Sequence, residues 1–206
     1  MKIGLISDTH SAGNGTDLPG AVLESLQGVD LILHCGDLEC LGVLDFLERI
    51  APVLAVRGYE DPTEPGGRLA ETTRVVQAED LAIGMVHDIQ WPSPRIDISR
   101  DGASLQFPPG SSKATLAAKF RQPVDIVVFG DTHEELVCFF DGVLLINPGS
   151  PTYPGRRHRP GTLGTIGLLD VQGRAANISL VDLEEREQGR WGKTLRFQVD
   201  ASYPDN

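Results

Sequence analysis

At 206 residues the chain has the length of one ordinary domain. Hydrophobic residues at 40% and charged residues at 23% give a normal globular balance. The net charge of −11 argues against a broad phosphate-backbone-binding surface, which needs a basic face. No apolar run approaches the roughly 20 residues that span a membrane. Met1–Ile6 is too short for the apolar part of a signal peptide, so a cytoplasmic protein is expected. Cys35, Cys40 and Cys138 fit neither a disulfide framework nor a thiolate zinc site and read as reduced thiols.

Taken in chain order, residues 2–6 form a short apolar run that stops at Ser7-Asp8. Residues 17–27 have helical spacing through Ala21, Val22, Leu23 and Leu26. Leu31–His34 is a buried-strand run ending at Gly36-Asp37, residues 41–50 are amphipathic and helical, and Val53–Val56 is a third strand ending at Gly58. Strand, helix, strand, helix, strand with turn residues after each strand predicts a parallel sheet covered by helices. Residues 74–77 and 81–86 read as adjacent strands, the second running into His87. A Pro-rich loop over 89–110 carries Trp91 and Phe107 and reads as a wall or lid, or as a plain insertion. Ser111 is placed to cap a helix over 113–121. Residues 126–129 form a buried strand ending at Gly130-Asp131, and β-rich segments follow at 135–140, 143–147, 163–170 and 176–182. The charged stretch 184–193 and a strand at 195–199 belong to a C-terminal extension over 184–206. The whole chain is expected to be a single domain.

The chemistry lies in one recurring feature. Five apolar strands each end in residues able to bind a metal: Asp8 and His10, Asp37, the Gly58–Asp61 turn, His87, and Asp131 with His133. In open α/β sheets functional groups gather beyond the carboxyl ends of the strands, and a mixed oxygen and nitrogen set suits Mn, Fe, Zn or similar ions. Each Asp alone could be a turn cap; the ordered set is what points to a metal cleft. His34, inside an apolar run, reads as a core histidine, and His158 as part of a solvated loop.

The segments Ser7-Asp8-Thr9-His10, His34-Cys35-Gly36-Asp37, Val86-His87, Gly130-Asp131-Thr132-His133 and Ile146-Asn147-Pro148-Gly149-Ser150 resemble the calcineurin-like metallophosphoesterases, in particular their small bacterial and archaeal phosphodiesterases. The resemblance runs from Met1 to about Asp182. It implies an α/β four-layer sandwich: two mixed β-sheets packed face to face, flanked by helices. It also implies two divalent metal ions, with Mn first and Fe, Zn or Ni as alternatives. One ion would take Asp8, His10, Asp37 and His133. The other would take the shared Asp37, the residue at 59, His87 and the residue at 131. Ions about 3.5–4 Å apart activate a hydroxide and neutralise charge building on the phosphoryl oxygens.

The chain departs from the family pattern twice. Tyr59 stands where the family has Asn, and Asp131 where it has His. Both departures fall on the second site, which is expected to be remodelled and weaker, with Glu60 or Asp88 as substitute oxygen ligands. Glu60, where many larger relatives have a histidine, or Asp61 is the candidate leaving-group acid. Asp37 is the residue on which catalysis depends. In the run Arg156–Arg159, Arg156 is the candidate for binding a substrate phosphate. The expected partner is a small phosphate-ester substrate, and nothing in the composition opposes a homo-oligomer. A reading from another class stands beside the enzyme: a catalytically impaired metal-binding scaffold for protein contacts, as in a retromer subunit of the same superfamily. A non-hydrolytic nucleotide-binding module is disfavoured, because no GxxxxGK[ST] loop is present and no GxGxxG follows the first strand.

Overall fold

The computed structural model describes residues 1–63 and 66–184; the expectations for the remainder of the C-terminal extension lie outside them. Two five-stranded mixed sheets make up the centre. The first has the order β12 (Ala175–Asp182), β11 (Thr165–Gln172), β1 (Lys2–Ile6), β2 (Leu31–His34), β3 (Val53–Ala55). The second has the order β4 (Thr73–Ala78), β5 (Leu81–Val86), β8 (Ile126–Val128), β10 (Val143–Asn147), β9 (Leu136–Phe140). Each contains a parallel trio, β1-β2-β3 in one and β5-β8-β10 in the other, bordered by antiparallel strands. The parallel sheet expected from the first half of the chain is therefore that trio, extended by two strands from the far end of the sequence.

The alternation of side chains across each strand builds the layers. Ile3 and Leu5 of β1 and Leu31 and Leu33 of β2 point between the sheets, where they meet Ile83 and Met85 of β5 and Ile126 and Val128 of β8. The opposite faces are covered separately. Ile6 and Ile32 pack under Val22 of α1 (Gly20–Ser25) and Leu44 of α2 (Gly42–Leu47). Val127 and Leu145 pack under Leu116 and Phe120 of α3 (Ser112–Phe120). Helices, sheet, sheet and helix make the four layers.

Two helices are shorter than their periodicity predicts. The Asp17 carboxylate accepts hydrogen bonds from Ser11 Oγ and the Gly13 amide, so it ties down the preceding loop and the helix begins only after Pro19. Ser111 does cap α3, its Oγ accepting from the Ala114 amide at 3.3 Å. Replacing it with alanine is expected to cost about 1 kcal/mol, read as a lowered urea midpoint at unchanged slope. The Pro-rich loop contains a hairpin, β6 (Asp97–Ile98) with β7 (Leu105–Gln106), and is anchored by stacking of Phe107 on Phe140 at 4.9 Å between ring centroids. Among the described residues no helix is long and apolar enough to cross a membrane.

Candidate metal centre

The carboxyl ends of the two parallel trios open on the same side, and the turns beyond them converge. Asp8, His10, Asp37, Asp131 and His133 all adopt positive φ, between 40° and 69°. Non-glycine residues reach this region at a cost, and such strain gathers where a surrounding structure over-determines a site. The turns Asp8-Thr9-His10 and Asp131-Thr132-His133 come from different sheets yet face each other: the Asp131 amide donates to both carboxylate oxygens of Asp8 at 3.2 Å. Asn147, part of the Ile146–Ser150 motif, holds the second turn by donating to Gly130 O at 2.9 Å and Thr132 Oγ1 at 3.1 Å.

Three imidazoles show a common polarity. Nδ1 of His10 donates to Glu39 Oε1 at 2.9 Å, Nδ1 of His87 to Cys35 O at 2.8 Å, and Nδ1 of His133 to Tyr153 O at 2.6 Å. Each partner can only accept, so each Nδ1 carries a proton and, in the neutral ring, each Nε2 presents a lone pair inward. Nε2 of His10 and of His133 then stand 3.3 Å apart, and His133 Nε2 lies 3.6 Å from Asp8 Oδ1. His87 Nε2 is buried without a hydrogen-bond partner of good geometry, 3.2 Å from Asp37 Oδ2 and 3.8 Å from Asp131 Oδ1. Lone pairs converging on each other and on carboxylates are favourable only with a proton or a metal cation between them. Among the described residues three groups have donors within 4.8 Å of one another: Asp8-His10-His133 and Asp8-Asp37-His87 inside the cleft, and His10-Glu39-Glu60 at its exposed rim. Asp8 is common to the two cleft groups, and Asp37 falls in the second of them.

Without a cation, burial would depress the His87 basicity, but the Asp37 and Asp8 carboxylates outweigh it and push its pKa up to about 9. The same pairing brings Asp37 down to about 2 against the upward pull of burial. Burial raises Asp8 and Asp131, the latter helped by Asp88. The imidazolium of His87 thus stabilises the metal-free fold fully below its unfolded pKa near 6.5 and loses that contribution as pH rises through about 9. A metal must displace this proton, so its affinity is expected to rise by up to about tenfold per pH unit between pH 6.5 and 8.5. Calorimetric titration of Mn2+ in that window checks it; a flat profile would contradict the assignment of His87.

The remaining expected residues take varied places. Tyr59, considered as a ligand, is 62% exposed and donates its hydroxyl to Asp88 Oδ2 at 2.6 Å. Desolvation and then the Asp88 carboxylate hold its pKa far above the usual phenol range, so the phenol is neutral in the metal-free protein. Its ring stands edge-on to His87, 5.5 Å between centroids, as a wall of the cleft. Glu60 is exposed, with Oε2 3.6 Å from His10 Nδ1, and its amide donates to Asp37 Oδ1 at 2.9 Å. Asp61, expected as a candidate acid, has both its oxygens occupied by backbone. Oδ2 accepts from Asp37 and Gly58 at 2.9 and 2.7 Å, and Oδ1 from Leu38 and Glu39 at 2.7 and 3.0 Å. Gly58 permits this closeness, since a Cβ there would fall 2.1 Å from Asp37 Oδ1. Glu39 belongs to no motif of the sequence, yet it accepts from His10 Nδ1. His34 is a core histidine: its ring accepts from the Gly36 amide, contacts Thr9 Oγ1, and is kept neutral by burial at about 4. Arg156 is exposed, and His158 pairs with Glu135 at 3.0 Å in place of the solvated loop expected.

A fold of two mixed sheets with imidazoles and carboxylates at the mouth of its parallel strands defines a candidate metal centre. Residues 1–174 match the calcineurin-like phosphoesterase superfamily domain, and the chain belongs to that family. It is 35% identical over 155 residues to a probable metallophosphoesterase of Methanocaldococcus jannaschii, spanning 75% of this chain and 70% of that protein. It is 27% identical over 175 residues to a phosphodiesterase of the same organism, spanning 84% and 94%. In fold it is similar to Vps29 from Entamoeba histolytica complexed with Zn2+, with a TM-score of 0.68 at 23% identity, covering 97% of this chain and all of that one. Membership implies divalent metal ions, and the donor groups described above fit them.

Proposed function

We propose that this chain hydrolyses phosphodiesters, or phosphomonoesters, at a centre for two divalent cations, Mn2+ foremost, with a weaker second site. The observation that carries the reading is the set of inward-facing Nε2 atoms on His10, His87 and His133 around Asp8 and Asp37. His10, His133 and Asp8 would hold the first ion together with Asp37; His87, Asp37 and Asp131 would hold the second. Bound ions supply Lewis acidity and a nucleophile drawn from water. The chain's own part is to fix these donors through Glu39, Cys35 O and Tyr153 O, which set each ring's tautomer and direction. Asp131 lies farther from His87 than a direct partner would, and Tyr59 is committed to Asp88; both support a second site short of one ligand. Exposed Glu60 is the remaining candidate acid, so substrates with good leaving groups are favoured.

Hydrolysis of bis(p-nitrophenyl) phosphate with added Mn2+, and metal content after exhaustive dialysis, test the reading. Turnover is expected, with the second ion lost more readily than the first; one tightly held ion per chain at full activity would refute the two-ion part. The commitment of Tyr59 to Asp88 favours one other reading, a protein-contact scaffold of the same fold. Absence of turnover with every divalent metal would support it.

A further inference from the structure

A cavity of about 1010 Å3 adjoins the metal centre on the far side of His133. This is at the upper end of the volumes that small-molecule sites occupy, about 300–1,000 Å3. His133, with Nε2 facing Asp8 and Nδ1 on Tyr153 O, forms the shared wall. The turn of the β6–β7 hairpin lines the same cavity and closes down on Glu134. The approach is tight enough that a Cβ on Gly102 would stand 2.6 Å from Glu134 Cβ.

The charges around this cavity are unevenly matched. Buried Glu134 is spent on Arg157 Nε at 2.9 Å and on the Arg156 amide, and Glu135 on His158 at 3.0 Å. The side chains of Arg100, Arg156 and Arg159, which line the cavity, have no ion-pair or hydrogen-bonding partner among the described residues. Three unpaired guanidinium groups around one hollow stand out in a chain of net charge −11. Guanidinium groups bind phosphate oxygens in bidentate fashion, and Tyr153, 57% exposed, adds an aromatic face between them and the centre.

We infer that this groove binds a second phosphate of the substrate, so that the preferred substrates are phosphodiesters carrying a further anionic phosphate beyond the scissile one. The inference rests on the hydrolase reading above for the position of the scissile group. The direct test needs no turnover: titration calorimetry of thymidine 3′,5′-bisphosphate and thymidine 5′-phosphate, with Mn2+ present. The bisphosphate is expected to bind about tenfold tighter at low salt, with the advantage shrinking as salt rises. In the Arg100→Ala/Arg159→Ala double variant the two affinities should fall to within about twofold of each other. Equal affinities in the native protein, or a preference that survives the double substitution, overturns the assignment. Turnover of the p-nitrophenyl ester of thymidine 5′-phosphate, with and without a 3′-phosphate, separates the two readings. Equal kcat/KM for both esters refutes the groove alone, and a binding preference without turnover of either refutes the hydrolase alone.

Discussion

Asp37→Asn is expected to lower kcat for bis(p-nitrophenyl) phosphate by about a thousandfold at saturating Mn2+, since several kcal/mol of transition-state charge stabilisation is lost at ~1.4 kcal/mol per factor of ten. The substitution is nearly isosteric, and an amide oxygen can still accept from the Glu60 amide as Oδ1 does now. What it removes is the negative charge 3.2 Å from His87 Nε2. An asparagine Nδ2 facing that atom would donate to the lone pair that a cation needs. Some stability of the metal-free fold should be lost as well, because Asp37 is a charge partner of the His87 imidazolium, and the melt separates that loss from the kinetic one. The measurements are steady-state kinetics, bound metal by elemental analysis, and a thermal melt. A variant within tenfold of the native rate would show that Asp37 carries no ion essential to the chemistry.

The fold was largely legible in the sequence because its strands are short, wholly apolar and punctuated. Each of the runs at 31–34, 81–86 and 126–129 stops at a glycine, a histidine or an acidic residue within two positions, and the structure turns at each of them. The partition of the sheets was not legible: β11 and β12 join the N-terminal strands across most of the chain length, and no local pattern states which strand lies beside which. The first helix is shorter than its periodicity for a local reason, since the Asp17 side chain ties down the loop that precedes it.

In the site, residue type and position were readable but orientation was not. Asp37 and Asp61 look alike in sequence, each a carboxylate beside a glycine turn after a buried strand. One has an oxygen facing an imidazole and the other has both oxygens on backbone amides, a difference set by contacts 22 to 24 positions away. Glu39 escaped notice for the same reason: its role exists only because His10 Nδ1 arrives beside it. Tyr59 could be flagged as unusual, but its commitment to Asp88 depends on two turns 29 positions apart meeting.

Asp61→Ala is expected to produce a large loss of stability outside the hydrophobic core. Four backbone amides, of Asp37, Leu38, Glu39 and Gly58, would lose their acceptor together. An unpaired buried N–H costs about 1–3 kcal/mol, and because the loop borders the cleft water can reach part of it, so the lower end applies and the sum is about 4 kcal/mol. For a chain of this size that corresponds to a fall of roughly 8–16 °C in Tm. Metal affinity should fall with it, since the same amides hold Asp37 and Glu39 in place. Asp61→Asn, which keeps one acceptor oxygen, should lie between the alanine variant and the native protein. These outcomes separate the clamp from the acid role considered for Asp61. A proton donor lost at this position would leave Tm unchanged and spare p-nitrophenyl esters, whose leaving group needs no acid, while abolishing turnover of alkyl esters. A clamp lost there lowers Tm and weakens metal binding and turnover of both substrate types alike.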